Sequence, residues 1–152
     1  MRDNQVNMTA MNSGDIVENI LAAEDGVAPP RVLIVDDEGN ITAILSRAIE
    51  KENLKIDTET DSARALDAIR REDYDLVVSD LIMPGASGIT ILKKAKEKNP
   101  ETEVIMITGQ ASVGSAAESV RLGAADYLLK PFENLEIFRL AVRKALVRRR
   151  LV

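Results

Sequence analysis

The chain has neither cysteine nor histidine among its 152 residues. Without cysteine there is no disulfide framework, no thiol nucleophile and no thiolate metal site. Without histidine there is no imidazole base, no Ser-His triad and no His-ligated zinc. Any metal must be held by oxygen donors, which favours magnesium, calcium or manganese. Aromatic residues make up 3%, so the core has to be built from Ile, Leu, Val, Ala and Met. No apolar run approaches membrane-spanning length. The N-terminus lacks the charged-then-apolar pattern of a secretory signal. A cytoplasmic location is expected, with no membrane partner. Glycine cradles are absent too. There is no Gly-x-Gly-x-x-Gly after the first strand and no Gly-x-x-x-x-Gly-Lys-Ser/Thr anywhere, so dinucleotide and nucleoside-triphosphate sites are not supported.

What is present suits one globular domain with a full core and some extra chain: 45% hydrophobic and 30% charged residues. The net charge of −5 is unevenly spread. From Arg139 to the end there are six basic residues and no acid, which leaves −11 on the preceding part. So acidic a body does not suit nucleic-acid binding.

Residues 1–30 stand apart from the rest. Met1–Gly14 is polar and aperiodic. Ile16, Val17, Ile20 and Leu21 form a short apolar stripe at helical spacing, stopped by Gly26 and Pro29-Pro30. This is a tail with a short helix, which docks on the domain, pairs with a second copy or stays apart. A regular alternation then begins. Arg31–Val35 reads as a buried strand. Ile41, Ile44, Leu45, Ala48 and Ile49 mark a helix with one buried face, with Asn40 as its cap. Lys55–Thr60 is a weaker strand suited to a sheet edge. Asp61 caps a second helix carrying Ala65, Leu66 and Ile69. Leu76–Asp80 is a third strand, and Gly88–Asn99 a third helix with Ile91, Leu92 and Ala95 inward. Glu103–Thr108 is a fourth strand. Ser112–Leu122 is a fourth helix with little large apolar surface, ended by Gly123. Ala125–Leu129 is a fifth strand, and a last helix begins at Glu133 or Asn134. Strands alternating with helices at this spacing mean a parallel sheet covered on both faces.

Function is sought where each apolar strand stops. The first strand ends in Asp36 and Asp37, the third in Asp80, the fourth in Thr108 and the fifth in Lys130. In open α/β sheets ligands bind in the crevice beyond these strand ends. Taken singly, each residue has a plainer role. Asp36-Asp37 can be a turn and cap, Asp80 a chain reversal, Thr108 a hydroxyl satisfied by backbone, Lys130 a solvated lysine and Tyr127 strand filling. Together, three clustered carboxylates repel one another unless a cation joins them, and an all-oxygen cluster suits Mg2+. An ammonium and a hydroxyl complete the parts that hold a transferring phosphoryl group. A carboxylate can act as the nucleophile.

Four segments carry a family resemblance: Val35-Asp36-Asp37-Glu38, Ser79-Asp80-Leu81-Ile82-Met83-Pro84-Gly85, Ile107-Thr108-Gly109 and Tyr127-Leu128-Leu129-Lys130-Pro131-Phe132. In this order and on these strands, they resemble the receiver domain of two-component response regulators over about Arg31 to Arg150. The resemblance implies a flavodoxin-like, doubly wound α/β fold with five parallel strands in the order 2-1-3-4-5 and helices on both faces. It implies Asp80 as the phosphorylated residue. It implies Mg2+ held by Asp37, by Asp36 through water, by Asp80 and by the backbone carbonyl of Ile82. Thr108 and Lys130 are expected to bond the phosphoryl oxygens, the Lys130–Pro131 peptide to be cis, and Tyr127 to be the switch aromatic. The implied partners are a sensor histidine kinase or phosphotransfer protein in a phosphorelay, and a second copy in a homodimer.

The domain plan expected is residues 1–30 as a tail, 31–147 as the receiver and 148–152 as the start of a linker helix leading into a longer regulator. Leu135, Phe138, Val142 and Ala145 should pack on the sheet, with Arg139, Arg143 and Lys144 outward. The chain itself is expected to be no enzyme beyond its own phosphorylation. The alternatives are a stand-alone receiver, an interaction module that is never phosphorylated, and an aspartate-nucleophile phosphatase. The last needs an acid two residues after Asp80, where Ile82 stands instead.

Overall fold

The computed structural model describes residues 28–130 and 134–151. Strands β1 (Arg31–Val35), β2 (Lys55–Glu59), β3 (Leu76–Asp80), β4 (Glu103–Thr108) and β5 (Asp126–Leu129) form one parallel sheet in the order β2-β1-β3-β4-β5. Between and after them run α1 (Gly39–Ile49), α2 (Ser62–Arg71), α3 (Gly88–Lys98), α4 (Val113–Arg121) and α5 (Leu135–Leu151). This is the expected flavodoxin-like order. The short helix expected at Ile16–Leu21 and the Lys130–Pro131 peptide lie outside the described residues.

The sheet divides the core by strand parity, because successive side chains point to opposite faces. Val32, Ile34, Leu76, Val78, Ile105 and Ile107 face Leu45 and Ile49 of α1 and Phe138, Val142, Ala145 and Leu146 of α5. Leu33, Val35, Val77, Val104 and Met106 face α2 and α3. With both faces covered, β1, β3 and β4 read as unbroken apolar runs. β2 lies at the edge and has no fully buried residue, as its weaker pattern implied.

Three local expectations are corrected. Asn40 does not cap α1. The cap position is Glu38, without a side-chain bond, and Asn40 lies inside the first turn. Ile44 is 43% exposed, because the buried stripe runs through Thr42, Leu45 and Ile49 and leaves Ile44 on the rim of the α1–α5 groove. Arg139 and Arg143 do not face freely outward. Arg139 Nε donates to the Ala48 carbonyl at 2.7 Å, and Arg143 Nη2 meets Glu52 at 2.9 Å. Both stitch α5 to the end of α1. The apolar face of α5 packs as expected, with Phe138 and Val142 fully buried. The helix continues without a break past Val147, and Arg148 and Arg149 pair with Glu103 and Asp75 at 3.3 and 3.5 Å.

Candidate functional site

The site follows from strand register. Val35 pairs with Ser79, Asp80 with Ile107, and Thr108 with Leu129. The residues at or just past these levels therefore share one edge of the sheet. Asp36, Asp80 and Lys130 continue the parity of Ile34, Val78 and Leu128, so they project to the same side. The contacts agree. Lys130 Nζ lies 2.7 Å from Asp36 Oδ2 and 3.3 Å from Asp80 Oδ2. Asp36 is fully buried, Asp80 nearly so, and Asp37 is exposed at the rim. One carboxylate oxygen from each of the three aspartates falls within 4.8 Å of the others. The cleft above them has a volume of about 380 Å3 and is lined by Asp37, Glu38, Asp80, Ile82, Thr108, Gly109, Gln110 and Lys130.

Burial pushes the Asp80 carboxyl above the ordinary aspartate range, and the neighbouring Asp36 charge adds to the shift; Lys130 opposes both without cancelling them. Burial acts to lower the Lys130 ammonium, but its hydrogen bond to Asp36 and the two carboxylate charges outweigh that and hold it above its usual value. One ammonium thus faces two buried carboxylates, with a third at the rim. The cluster remains short of positive charge, and all its donors are oxygens. Both features fit a hard divalent cation.

Neighbouring residues hold the site's backbone. Asp36 Oδ1 accepts the Glu38 amide at 3.0 Å, which fixes one carboxylate oxygen. Thr108 is buried, and its Oγ1 accepts the Gln110 amide at 3.0 Å. Tyr127 is half-buried, with its hydroxyl 2.6 Å from Ser115 Oγ. The β3–α3 loop turns at Gly85, where φ is +81°, and returns to the strand at Gly88. A Cβ on Gly88 would lie 2.2 Å from the Asp80 carbonyl oxygen, so no other residue fits there. Ser62 pins this loop, donating to the Pro84 carbonyl and accepting from the Ala86 amide, each at 3.1 Å.

The structure therefore brings together Asp36, Asp37, Asp80, Thr108 and Lys130, with Ile82 on the rim and Tyr127 one layer away. Ser62, Gln110 and Ser115 escaped notice in the sequence. Ser62 reads there as part of a helix start after Asp61, and Ser115 as ordinary helix surface. Nothing local marks either as a partner for a distant loop or strand.

The comparisons agree with this geometry. Residues 32–142 match the family model for the response regulator receiver domain. The chain is 37% identical over 123 residues to the transcriptional regulatory protein TcrA of Mycobacterium tuberculosis, covering 81% of this chain and 48% of that protein. It is 38% identical over 126 residues to the C4-dicarboxylate transport transcriptional regulatory protein DctD of Pseudomonas aeruginosa, covering 82% of this chain and 27% of that protein. Among solved structures, the beryllofluoride-activated NtrC4 receiver domain dimer matches with a TM-score of 0.73 and 36% identity, over 78% of this chain and 98% of that one. A CheY-like receiver protein from Methanospirillum hungatei JF-1 matches with a TM-score of 0.74 and 27% identity, over 82% and 99%. The chain belongs to the response regulator receiver family of two-component signalling. It spans about half the length of TcrA and about a quarter that of DctD.

Proposed function

We propose that this chain is a phosphoacceptor switch. Asp80 takes a phosphoryl group from the phosphohistidine of a sensor histidine kinase or phosphotransfer protein. The observation that carries this reading is the meeting of Asp36, Asp80 and Lys130 at the ends of three strands, with Lys130 Nζ 2.7 and 3.3 Å from the two carboxylates. An Asp80 carboxylate oxygen attacks phosphorus, the P–N bond to the donor imidazole breaks, and the electron pair leaves with the imidazole, which picks up a proton. This chain has no histidine, so it is the recipient.

Asp36, Asp37, Asp80 and the Ile82 carbonyl would hold Mg2+. When bound, the ion neutralises charge on the phosphoryl oxygens and on the crowded carboxylates. The protein supplies the rest. Lys130, already poised on Asp80, gives a fixed positive charge beside the new dianion. Thr108 has a hydroxyl proton to donate to a phosphoryl oxygen while its oxygen keeps the Gln110 amide. Drawing Thr108 and Lys130 toward the phosphoryl group moves the ends of β4 and β5. Tyr127 follows, and the face of α4, β5 and α5 is remodelled. That face exposes Val113, Val120, Leu129, Ile137 and Leu140, an apolar patch suited to a second copy in the phosphorylated state. We read the chain as the receiver part of a longer transcriptional regulator, with the nucleic-acid contacts outside it.

Acetyl phosphate with Mg2+, followed by intact mass, tests the reading. Wild type should gain one phosphoryl group, and Asp80→Asn none. Uptake by Asp80→Asn, or none by wild type, would overturn it.

A further inference from the structure

Helix α4 is held to the domain unlike its neighbours. α3, on the same face, buries Ile91, Leu92 and Ala95. In α4 the only buried residue is Ser119, while Val113 is 88% and Val120 69% exposed. An added Cβ at Gly114 would find nothing within 4 Å. A chain of hydroxyls stands where apolar packing is missing. Ser112 caps the helix, its Oγ accepting the Ser115 amide at 3.0 Å and lying 3.0 Å from Ser115 Oγ. Ser119 Oγ donates to the Ser115 carbonyl at 2.8 Å. Ser115 Oγ lies 3.2 Å from the Ser112 carbonyl and 2.6 Å from the Tyr127 hydroxyl.

At 2.6 Å the contact between Ser115 Oγ and the Tyr127 hydroxyl is the shortest of these, and either hydroxyl can be its donor. Tyr127 pairs in register with Met106, two residues before Thr108, and precedes Lys130 by three. It stands between the strand ends that carry the site and the helix that carries the exposed patch.

We infer that Ser115 is the positioning residue of the switch: its hydrogen bond with the Tyr127 hydroxyl holds α4 in place while Asp80 is unmodified, and exchange of that bond for water frees the helix. The inference rests on the receiver reading of Asp80. A hydroxyl pair can be replaced by water at small net cost, whereas buried Ile and Leu cannot be exposed so cheaply. Hence α4 can move on a signal that leaves α3 in place.

The test uses Ser115→Ala, Tyr127→Phe, the double variant, and Ser115→Thr, which keeps the hydroxyl. Without ligand, amides of residues 113–121 should exchange with deuterium roughly fivefold faster in Tyr127→Phe, the change expected for one net hydrogen bond, and at least as fast in Ser115→Ala, which also loses its contacts with Ser112. The double variant should go no further than Ser115→Ala, α3 should be unchanged, and Ser115→Thr should restore the wild-type rate. With Mg2+, Ser115→Ala should bind beryllofluoride roughly fivefold more tightly, since one less bond opposes the switched state. Unchanged exchange in α4, additive effects of the two variants, or equal beryllofluoride affinity would each overturn the inference while Asp80-dependent binding in wild type stands. If wild type binds no beryllofluoride at all, the receiver reading falls, and the switch role of Ser115 with it.

Discussion

The two ends of the sheet carry charge clusters of opposite character. At the N-terminal end, acids meet arginines. Arg31 lies 2.5 Å from Glu72 and 3.3 Å from Asp57, and its backbone amide donates to Asp75 at 2.8 Å. Arg149 reaches Asp75 at 3.5 Å and Glu101 at 3.7 Å, and Arg148 reaches Glu103. The hydrogen bond from Arg31 holds the Glu72 carboxyl below its ordinary range. At the C-terminal end, Asp36 and Asp80 share Lys130 beside Asp37, and the Asp80 carboxyl is pushed up instead. At the first end each acid named has an arginine partner. At the other, two buried carboxylates share one lysine beside a third carboxylate at the rim. On the function proposed above, that crowding marks the end that takes up a cation and an anion from outside.

The comparison breaks most sharply at the cations. Replacing Lys130 by Met leaves Asp36 and Asp80 buried with no compensating charge. Breaking such a pair costs about 3 kcal/mol, measured by urea unfolding with a chelator present. Saturating Mg2+ should restore most of the loss. Arg149→Met at the other end should cost under about 1 kcal/mol, because its partners reach solvent, and Mg2+ should restore none of it. Equal losses in the two variants would show that the ends are not different in kind.

Next in size is the metal itself. If the excess charge is a cation site, Mg2+ at about one hundred times its Kd should stabilise wild type by about 2.7 kcal/mol. Thermal unfolding with and without the ion reads this directly. Asp37→Ala removes the exposed ligand, which nothing else in the cluster replaces, and should remove nearly all of the effect. A retained shift in that variant would move the metal elsewhere.

The contrast between the ends also explains what could be read from the sequence. Asp36, Asp80, Thr108 and Lys130 were legible as strand-end residues because the buried parallel strands are mostly apolar, so the polar residue that ends each run marks the crevice. Buried Ser79, just before Asp80, is the exception. The strand order and the apolar face of α5 were legible for a similar reason, since periodicity is local. The arginine pairings were not. Arg31 meets Glu72 across 41 residues, and Arg143 meets Glu52 across 91. A charge has no period, and any exposed acid nearby would have served equally well in the sequence. Gly88 was read as the start of the third helix, whereas its real constraint is the Asp80 carbonyl oxygen, which leaves no room for a Cβ. The cap of α1 was misplaced because Asn40 has the right side chain, but the chain enters the helix two residues earlier, tied down by the Asp36 carboxylate on the Glu38 amide.

A smaller effect separates charge from shape at the site. Asp80→Asn keeps the volume and removes the charge that burial and Asp36 disfavour. At neutral pH without metal it should raise stability, read as a higher urea midpoint. The same change should make Mg2+ less stabilising, so the two proteins converge as the ion is added. A destabilised variant without metal would mean that Lys130 satisfies Asp80 fully and that the cluster has no charge excess.

The last and smallest contrast is in pH, and the two ends should respond with opposite sign. Glu72 has a folded-state value below its unfolded one, because Arg31 bonds its charged form. Its contribution is therefore complete above the unfolded value and is lost as pH falls through the folded one. Asp80 has a folded-state value above its unfolded one. Its charge opposes folding at neutral pH, and that opposition is relieved as pH falls through the raised value toward the unfolded one. In metal-free buffer, acidification from neutrality should therefore first relieve Asp80 and only later remove the Glu72 contribution. Urea midpoints taken at steps of pH should show this in the variants. Relative to wild type, Asp80→Asn should lose its advantage at the higher-pH part of the acid range. Glu72→Gln should begin less stable and approach wild type only further down. The Glu72 effect should shrink with added salt, since the pair is partly open to water. The Asp80 effect, set mainly by burial, should persist. If both variants approach wild type over the same pH range, the two ends titrate alike, and the division of the sheet into a paired end and a waiting end is wrong.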